Sequence, residues 1–202
     1  MIDREFMEIV RSALRSHPDR IGDLRVTAVE PSPRGPMVRW TGGPEQPRSV
    51  EPVAGGGSFL GPVAGPLILE GAARFLAARW RHGAPRIAKT WDRDLEVAHP
   101  QIFQFGPCSG GGWSWLWQSS AEWIEERGVP QSFTTDDTKE KFGTLRWHYR
   151  AIDCTDAIDD IVEVAEALSG AICEGCGAPG YPRQGGWVKT YCDRCSNGRA
   201  RR

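Results

Sequence analysis

No part of this 202-residue chain approaches the ~18 consecutive apolar residues that a membrane-spanning helix needs. No apolar stretch follows a basic start, the mark of a secretory leader. A non-membrane protein of the cytoplasm is therefore expected. Net charge is also nearly missing, with 25 Lys+Arg against 26 Asp+Glu, which excludes a protein that coats nucleic acid through bulk charge. Histidine is scarce, with only His17, His82, His99 and His148. None stands in an H-E-x-x-H or deaminase pattern, and Glu96 with His99 has no second pair to match it. The run Gly55-Gly56-Gly57-Ser58 lacks the Gly-Lys-Ser/Thr that completes a phosphate loop, so it reads as a flexible connection. No internal repeat is present.

What the chain does have is C-x2-C-x15-C-x2-C, formed by Cys173, Cys176, Cys192 and Cys195. Two thiolates three positions apart grip one ion from a tight turn, and a hairpin returns the second pair to complete a tetrahedral sulfur shell for zinc. Two disulfides or four unrelated thiols are the alternatives; the spacing and Gly177, able to take φ > 0 directly after the first pair, favour zinc. A closed four-thiolate shell leaves no coordination position for substrate, so such a zinc is structural. Cys108 and Cys154 lie outside the pattern. Metal-spaced cysteines also suit a reducing compartment.

Charge is unevenly distributed. Residues 171–202 hold six Lys/Arg and two Asp/Glu, whereas the preceding 170 hold nineteen and twenty-four. The zinc end is basic and the body mildly acidic.

Hydrophobic periodicity predicts helices over 3–16 (Asp3 as N-cap, Pro18 as stop), 67–82, 113–127 and 156–170. Strands are expected at 24–29, 37–40, 131–135 and 143–150, the last alternating Leu145, Trp147 and Tyr149 against Arg146 and His148. Residues 31–66 contain eight Pro and eight Gly, above the ~25–30% typical of low-order segments; they read as a mobile loop with short strands at most. The fold class is α+β: mixed helices and short strands with a C-terminal four-cysteine zinc ribbon. Three regions follow, 1–111, 112–172 and 173–202, the last docked on the helix before it.

Candidate chemistry is thin. Asp137-x-Lys139 has the acid-x-lysine spacing of some Mg²⁺ nucleases, provided that Asp92, Asp94 or Glu122 joins it; the simpler reading is a charged turn with Phe142 as the first core anchor after it. Cys108, in a glycine-rich run, reads as incidental. Nine tryptophans form core for the most part, with Trp113 and Trp117 on one helix face. Trp115 points elsewhere, as a possible partner anchor. Trp187 is expected in the small core of the zinc hairpin. Arg146 and His148 form a basic strip with Arg150. Lys189 and Arg194, with Arg183 and the tail arginines through Arg202, are placed to touch phosphates, or to offset the net −2 of a four-thiolate zinc centre. The tail beyond Asn197-Gly198 is expected to be disordered, and His17 sits where a cation suits a helix end.

From Gly112 onward the chain resembles a group of small uncharacterised proteins of bacterial genomes and their phages. The match rests on Gly112-Trp113 opening a helix and on the run from Lys139-Glu140-Lys141-Phe142 to Gly143-Thr144-Leu145-Arg146. It continues through Ala165-Glu166-Ala167-Leu168-Ser169, then Cys173-Glu174-Gly175-Cys176-Gly177-Ala178-Pro179-Gly180, and ends on Gly186-Trp187-Val188-Lys189-Thr190-Tyr191-Cys192. That family often ends its metal set with histidine, and Cys195 stands in that place here. The resemblance implies a zinc-bearing domain of phage or mobile-element origin over about the last ninety residues, and it brings no activity with it. The expected function is non-enzymatic: docking onto a host or phage macromolecule, a protein more than a nucleic acid, with inhibition of a host defence as one form. The alternatives are a nucleic-acid-binding accessory factor using the zinc ribbon and the Mg²⁺-dependent nuclease.

Overall fold

The computed structural model describes residues 1–15, 21–153 and 155–201. His17, Pro18, Cys154 and Arg202, named above, lie outside them. The elements in order are α1 (Ile2–Ala13), β1 (Arg25–Glu30), β2 (Met37–Thr41), β3 (Val50–Pro52), β4 (Ser58–Leu60) and α2 (Gly65–Trp80). Then come α3 (Trp91–Ala98), a 3₁₀ turn (Gly111–Trp113), α4 (Ser114–Arg127), β5 (Thr134–Lys141), β6 (Thr144–Arg150), α5 (Asp156–Ser169), β7 (Tyr181–Arg183) and β8 (Lys189–Tyr191). The strands pair as four separate antiparallel hairpins, β1–β2, β3–β4, β5–β6 and β7–β8. The fold is thus α+β, as the pattern predicts.

Helix α2 is the hub. It is apolar nearly all round, with Ile68, Leu69, Ala72, Phe75 and Leu76 at 0–1% exposure, as a helix packed on several sides must be. Pro66 at its first turn supplies a pre-set φ. Gly71 lets α5 approach, because a Cβ there would lie 2.3 Å from Val164 Cγ1. One continuous apolar core takes residues from α1 (Phe6, Ile9, Val10), α2, α4 (Leu116, Trp117, Ile124), β6 (Leu145, Trp147) and α5 (Ile161, Ala165, Leu168). It therefore spans both sides of position 111. Two of the buried indoles find acceptors, Trp113 Nε1 on the Ile172 carbonyl at 2.8 Å and Trp117 Nε1 on Ser109 Oγ at 3.0 Å, whereas Trp123 Nε1 is buried without a partner among the described residues.

Several expectations are corrected. The Pro/Gly-rich stretch 31–66 holds short strands, as expected, with β2 at the predicted place and β3 and β4 after it, but it is more than a loop, since it places Val38 and Val63 in the core at 1% and 4% exposure. Its prolines lie outside strand interiors, with Pro52 at a strand end and Pro66 in the first turn of α2, where a missing N–H costs little. Asp3 is inside the first turn of α1 and not its cap, which is Met1. The charged run 134–141 is a strand and not a turn; a bulge between Thr135 and Asp137 shifts the register and turns Thr135 and Thr138, both 2% exposed, to the inside. That break in alternation hides the strand from a period-two reading. Phe142 is no core anchor: it is 66% exposed at the β5–β6 tip with φ of 54°. Helix α3 was not anticipated, since its eight residues bury only Leu95.

Candidate metal centre

Helix α5 ends at Ser169, and the next residues form the first metal knuckle, Cys173 to Cys176. Its geometry comes from backbone bonds: Gly177 N–H donates to the Cys173 carbonyl at 2.8 Å, and Cys173 N–H to the Ala178 carbonyl at 2.8 Å. Gly177 takes φ of 71°, as its place after the cysteine pair requires. The β7–β8 hairpin returns the chain to the second knuckle, where Cys195 N–H donates to the Cys192 carbonyl at 3.2 Å.

The four sulfurs of Cys173, Cys176, Cys192 and Cys195 all lie within 4.8 Å of one another, and Cys173 is buried. Cys176 Sγ and Cys192 Sγ are 3.6 Å apart. A disulfide needs about 2.05 Å, whereas a tetrahedral shell with Zn–S of about 2.3 Å sets neighbouring sulfurs about 3.8 Å apart. The arrangement is that of a four-thiolate metal site. Ionisation is shared unequally: the Cys176 thiol is drawn down to about 5, chiefly by its hydrogen bond with Cys173. Cys195 is pushed up to about 11, first by burial and then by its sulfur neighbours. A metal ion replaces these protons and is the natural charge partner of the cluster.

The knuckle is seated on the core as well as on α5. Gly112 N–H donates to the Glu174 carbonyl at 2.8 Å. A Cβ on Gly112 would lie 2.3 Å from the Cys173 carbonyl oxygen and 2.6 Å from Cys176 N. The indole of Trp115 covers Gly177, whose own Cβ would lie 2.7 Å from that ring. Trp115 is half-buried, so part of the ring that the sequence offered as a partner anchor covers the knuckle.

Two of the remaining candidate binding residues, Lys189 and Arg146, have local partners. Lys189 Nζ pairs with Glu140 at 2.7 Å and Glu174 at 3.0 Å. The Glu140 carboxyl is raised by burial, but bonds from Lys189, Trp187 and Gly143 outweigh this and leave it below the usual range. Arg146 donates to the Leu145 carbonyl at 2.7 Å and stands 3.6 Å from Glu166. His148 and Arg194 are exposed. Trp187 is not in the small core: it is 61% exposed, and its Nε1 donates to Glu140 at 3.0 Å. The tail beyond Asn197-Gly198 is pinned, with Arg201 on Asp193 at 2.7 Å and a β-bridge from Arg201 to Arg183.

Asp137 and Lys139 form an ion pair with each other on the exposed side of β5. Glu122 is held by Arg81 through both oxygens. Among the described residues the four cysteines form the only group of three or more close metal-ligating side chains. Cys108 is exposed, and its N–H donates to Thr138 Oγ1 at 3.0 Å. No helix among the described residues is long and apolar enough to cross a membrane.

Fold and cluster together define the class: an α+β protein with a C-terminal four-cysteine hairpin able to hold a metal ion. The chain matches no family model, no curated protein and no solved structure.

Proposed function

We propose that the protein is a non-enzymatic, zinc-stabilised binding protein that docks onto another protein through the β3–β4 arm. One observation carries this reading. All six strand residues of the arm are exposed, and with Val53 they display Val50 (59%), Val53 (50%), Phe59 (60%) and Leu60 (49%). A lone two-stranded hairpin is marginal in water, and it is held only at its base. There Arg48 donates to the Gly61 carbonyl at 2.8 Å and pairs with Asp160 at 3.0 Å and Glu163 at 2.8 Å on α5. Exposed apolar side chains on a free strand edge suit addition of a partner strand. Between Ser49 and Val63 the only charged residue is Glu51, a composition that offers nothing to phosphates and favours a protein partner over nucleic acid.

Zinc is the ion the four thiolates suit, and in a closed shell it supports the fold. The basic end is a weaker candidate for contact, since Arg183, Lys189 and Arg201 are engaged by Asp193, Glu140 and Glu174. The phage or mobile-element origin that the C-terminal motifs imply belongs to the same proposal, and makes a host protein the partner to seek. A photo-crosslinking residue at position 59 tests it. A discrete adduct that resists nuclease and disappears on Leu60→Asp supports the reading; no adduct, or one removed by nuclease, overturns it.

A further inference from the structure

The hydrogen-bond register of the β3–β4 arm leaves one of its two edges complete. Val53 N–H donates to the Gly57 carbonyl and Gly61 N–H to the Ser49 carbonyl, and Glu51 stands opposite Phe59 midway between those pairs. Antiparallel pairs alternate between bonded and non-bonded, so Glu51 and Phe59 bond to each other across the hairpin. The backbone groups of Val50, Pro52, Ser58 and Leu60 then point outward. On β3 the outward row is broken, because Pro52 has no N–H. On β4 it is intact. Ser58 and Leu60 each present a donor and an acceptor there, and among the described residues no backbone group from outside the hairpin pairs with them.

This edge is complementary to itself. When two β4 strands run antiparallel edge to edge, Ser58 of each copy bonds with the other's Leu60, giving about four hydrogen bonds between the chains. Phe59 of one copy then faces the second copy's Phe59 in the closer, non-bonded kind of pair, where aromatic rings stabilise a sheet. Leu60 and Val50 of both copies share the opposite face, so side chains now exposed cover one another. Charge does not oppose the contact. Glu51 is the only charged residue from 49 to 63. In a sheet ordered β3–β4–β4–β3 the two Glu51 residues lie on the outer strands, about 14 Å apart and beyond the ~8 Å screening length of physiological salt.

We propose that two copies of the chain associate by antiparallel pairing of their β4 edges. The four-stranded sheet so formed ends on β3 at both sides, where the donor missing at Pro52 and the charge of Glu51 discourage a further strand. Association therefore closes at a dimer instead of growing into a fibre. Strands of three residues make the contact weak and exchangeable. Pairing rests on the reading of the arm as a docking surface and adds regulation to it, because a partner strand has to displace the second copy.

Sedimentation equilibrium of the metal-loaded protein tests it. The mean mass is expected to rise with concentration from 22.3 kDa toward twice that value. Leu60→Pro removes an outward donor of β4 and Val50→Pro the matching donor of β3, and neither touches a bond within the hairpin. Leu60→Pro should weaken association about tenfold or more, whereas Val50→Pro should leave it unchanged. Phe59→Asp sets two like charges face to face and should also weaken it. A mass that stays at one chain up to about 1 mM, or equal losses in the two proline variants, overturns the inference. A photo-crosslinking residue at position 59 separates this contact from the one with a host protein. Irradiated in purified protein, it should give an adduct of twice the chain mass; in dilute host lysate, one of a different mass. The first adduct without the second sinks the host partner alone, and the second without the first sinks the dimer alone.

Discussion

Gly112 shows how much can depend on a missing side chain. Its Cα faces three backbone atoms of the first knuckle within 2.6 Å of where a Cβ would stand, and backbone yields less readily than a side-chain tip. Gly112→Ala is expected to cost about 1–3 kcal/mol, the range for overpacking. It should also loosen metal binding, which competition with a chromophoric chelator would measure. Cys176→Ser removes a ligand outright and should cut the bound metal per chain sharply in elemental analysis. Glu174 holds the same region through its side chain, accepting from Gly110 N–H at 3.1 Å and pairing with Lys189. None of these partnerships is visible in the motif that contains them. The cysteine spacing announces ligands, but Gly112 lies sixty residues upstream, and only the docking of the knuckle on α4 gives it a role.

The hairpins divide into those the core needs and those it does not. Strands β5 and β6 bury Leu145 and Trp147 against Phe103 and Trp117, with ring centroids 5.4 Å and 5.1 Å from Trp147. Trp147→Ala should therefore cost about 3–5 kcal/mol in denaturant unfolding. The β3–β4 arm buries none of its strand residues, so Phe59→Asp is expected to shift stability by no more than about 0.5 kcal/mol, as exposed substitutions do. A large loss there would mean that the arm packs on the body. Much of the helical pattern is plain in the sequence, because α1, α4 and α5 repeat apolar residues with the helical period over three turns or more. Helix α3 and strand β5 escape it for physical reasons. The first is short and rests on Leu95 alone, and the second carries a bulge that cancels its alternation.

For the molecule as a whole, pH separates two contributions. Metal binding requires thiolates, so protons compete with the ion and the metal should leave as acidity rises, well before the carboxylates are neutralised. Asp193 titrates later. Hydrogen bonds from Arg201 and then Arg183 hold its carboxyl down at about 2 against an ordinary 3.8. A carboxyl with a depressed folded value stabilises fully above its unfolded value and loses that contribution as pH falls through the folded one. The pinning of the tail by Asp193 should thus persist above about pH 4 and vanish toward pH 2, with salt weakening it because the pair is exposed. Carboxyl NMR titration of Asp193 with and without Arg201→Gln would show the depressed value and its return to the ordinary range.

Local order along the chain was enough to predict a mixed α+β architecture, the boundaries of most helices and the four sulfur ligands. Each of these depends on periodicity or on neighbours a few positions apart. What required the folded molecule was every relation across long separations. Arg48 of the Pro/Gly-rich stretch reaches Asp160 and Glu163 on α5, more than a hundred positions away. The basic C-terminal end loses much of its free charge because Glu140, Glu174 and Asp193 fold against it. His99 and Glu125 meet across twenty-six positions. Charge and aromatic content are readable from a list of residues; which of them remain available to a ligand is set by packing, because burial and pairing depend on what the chain brings alongside.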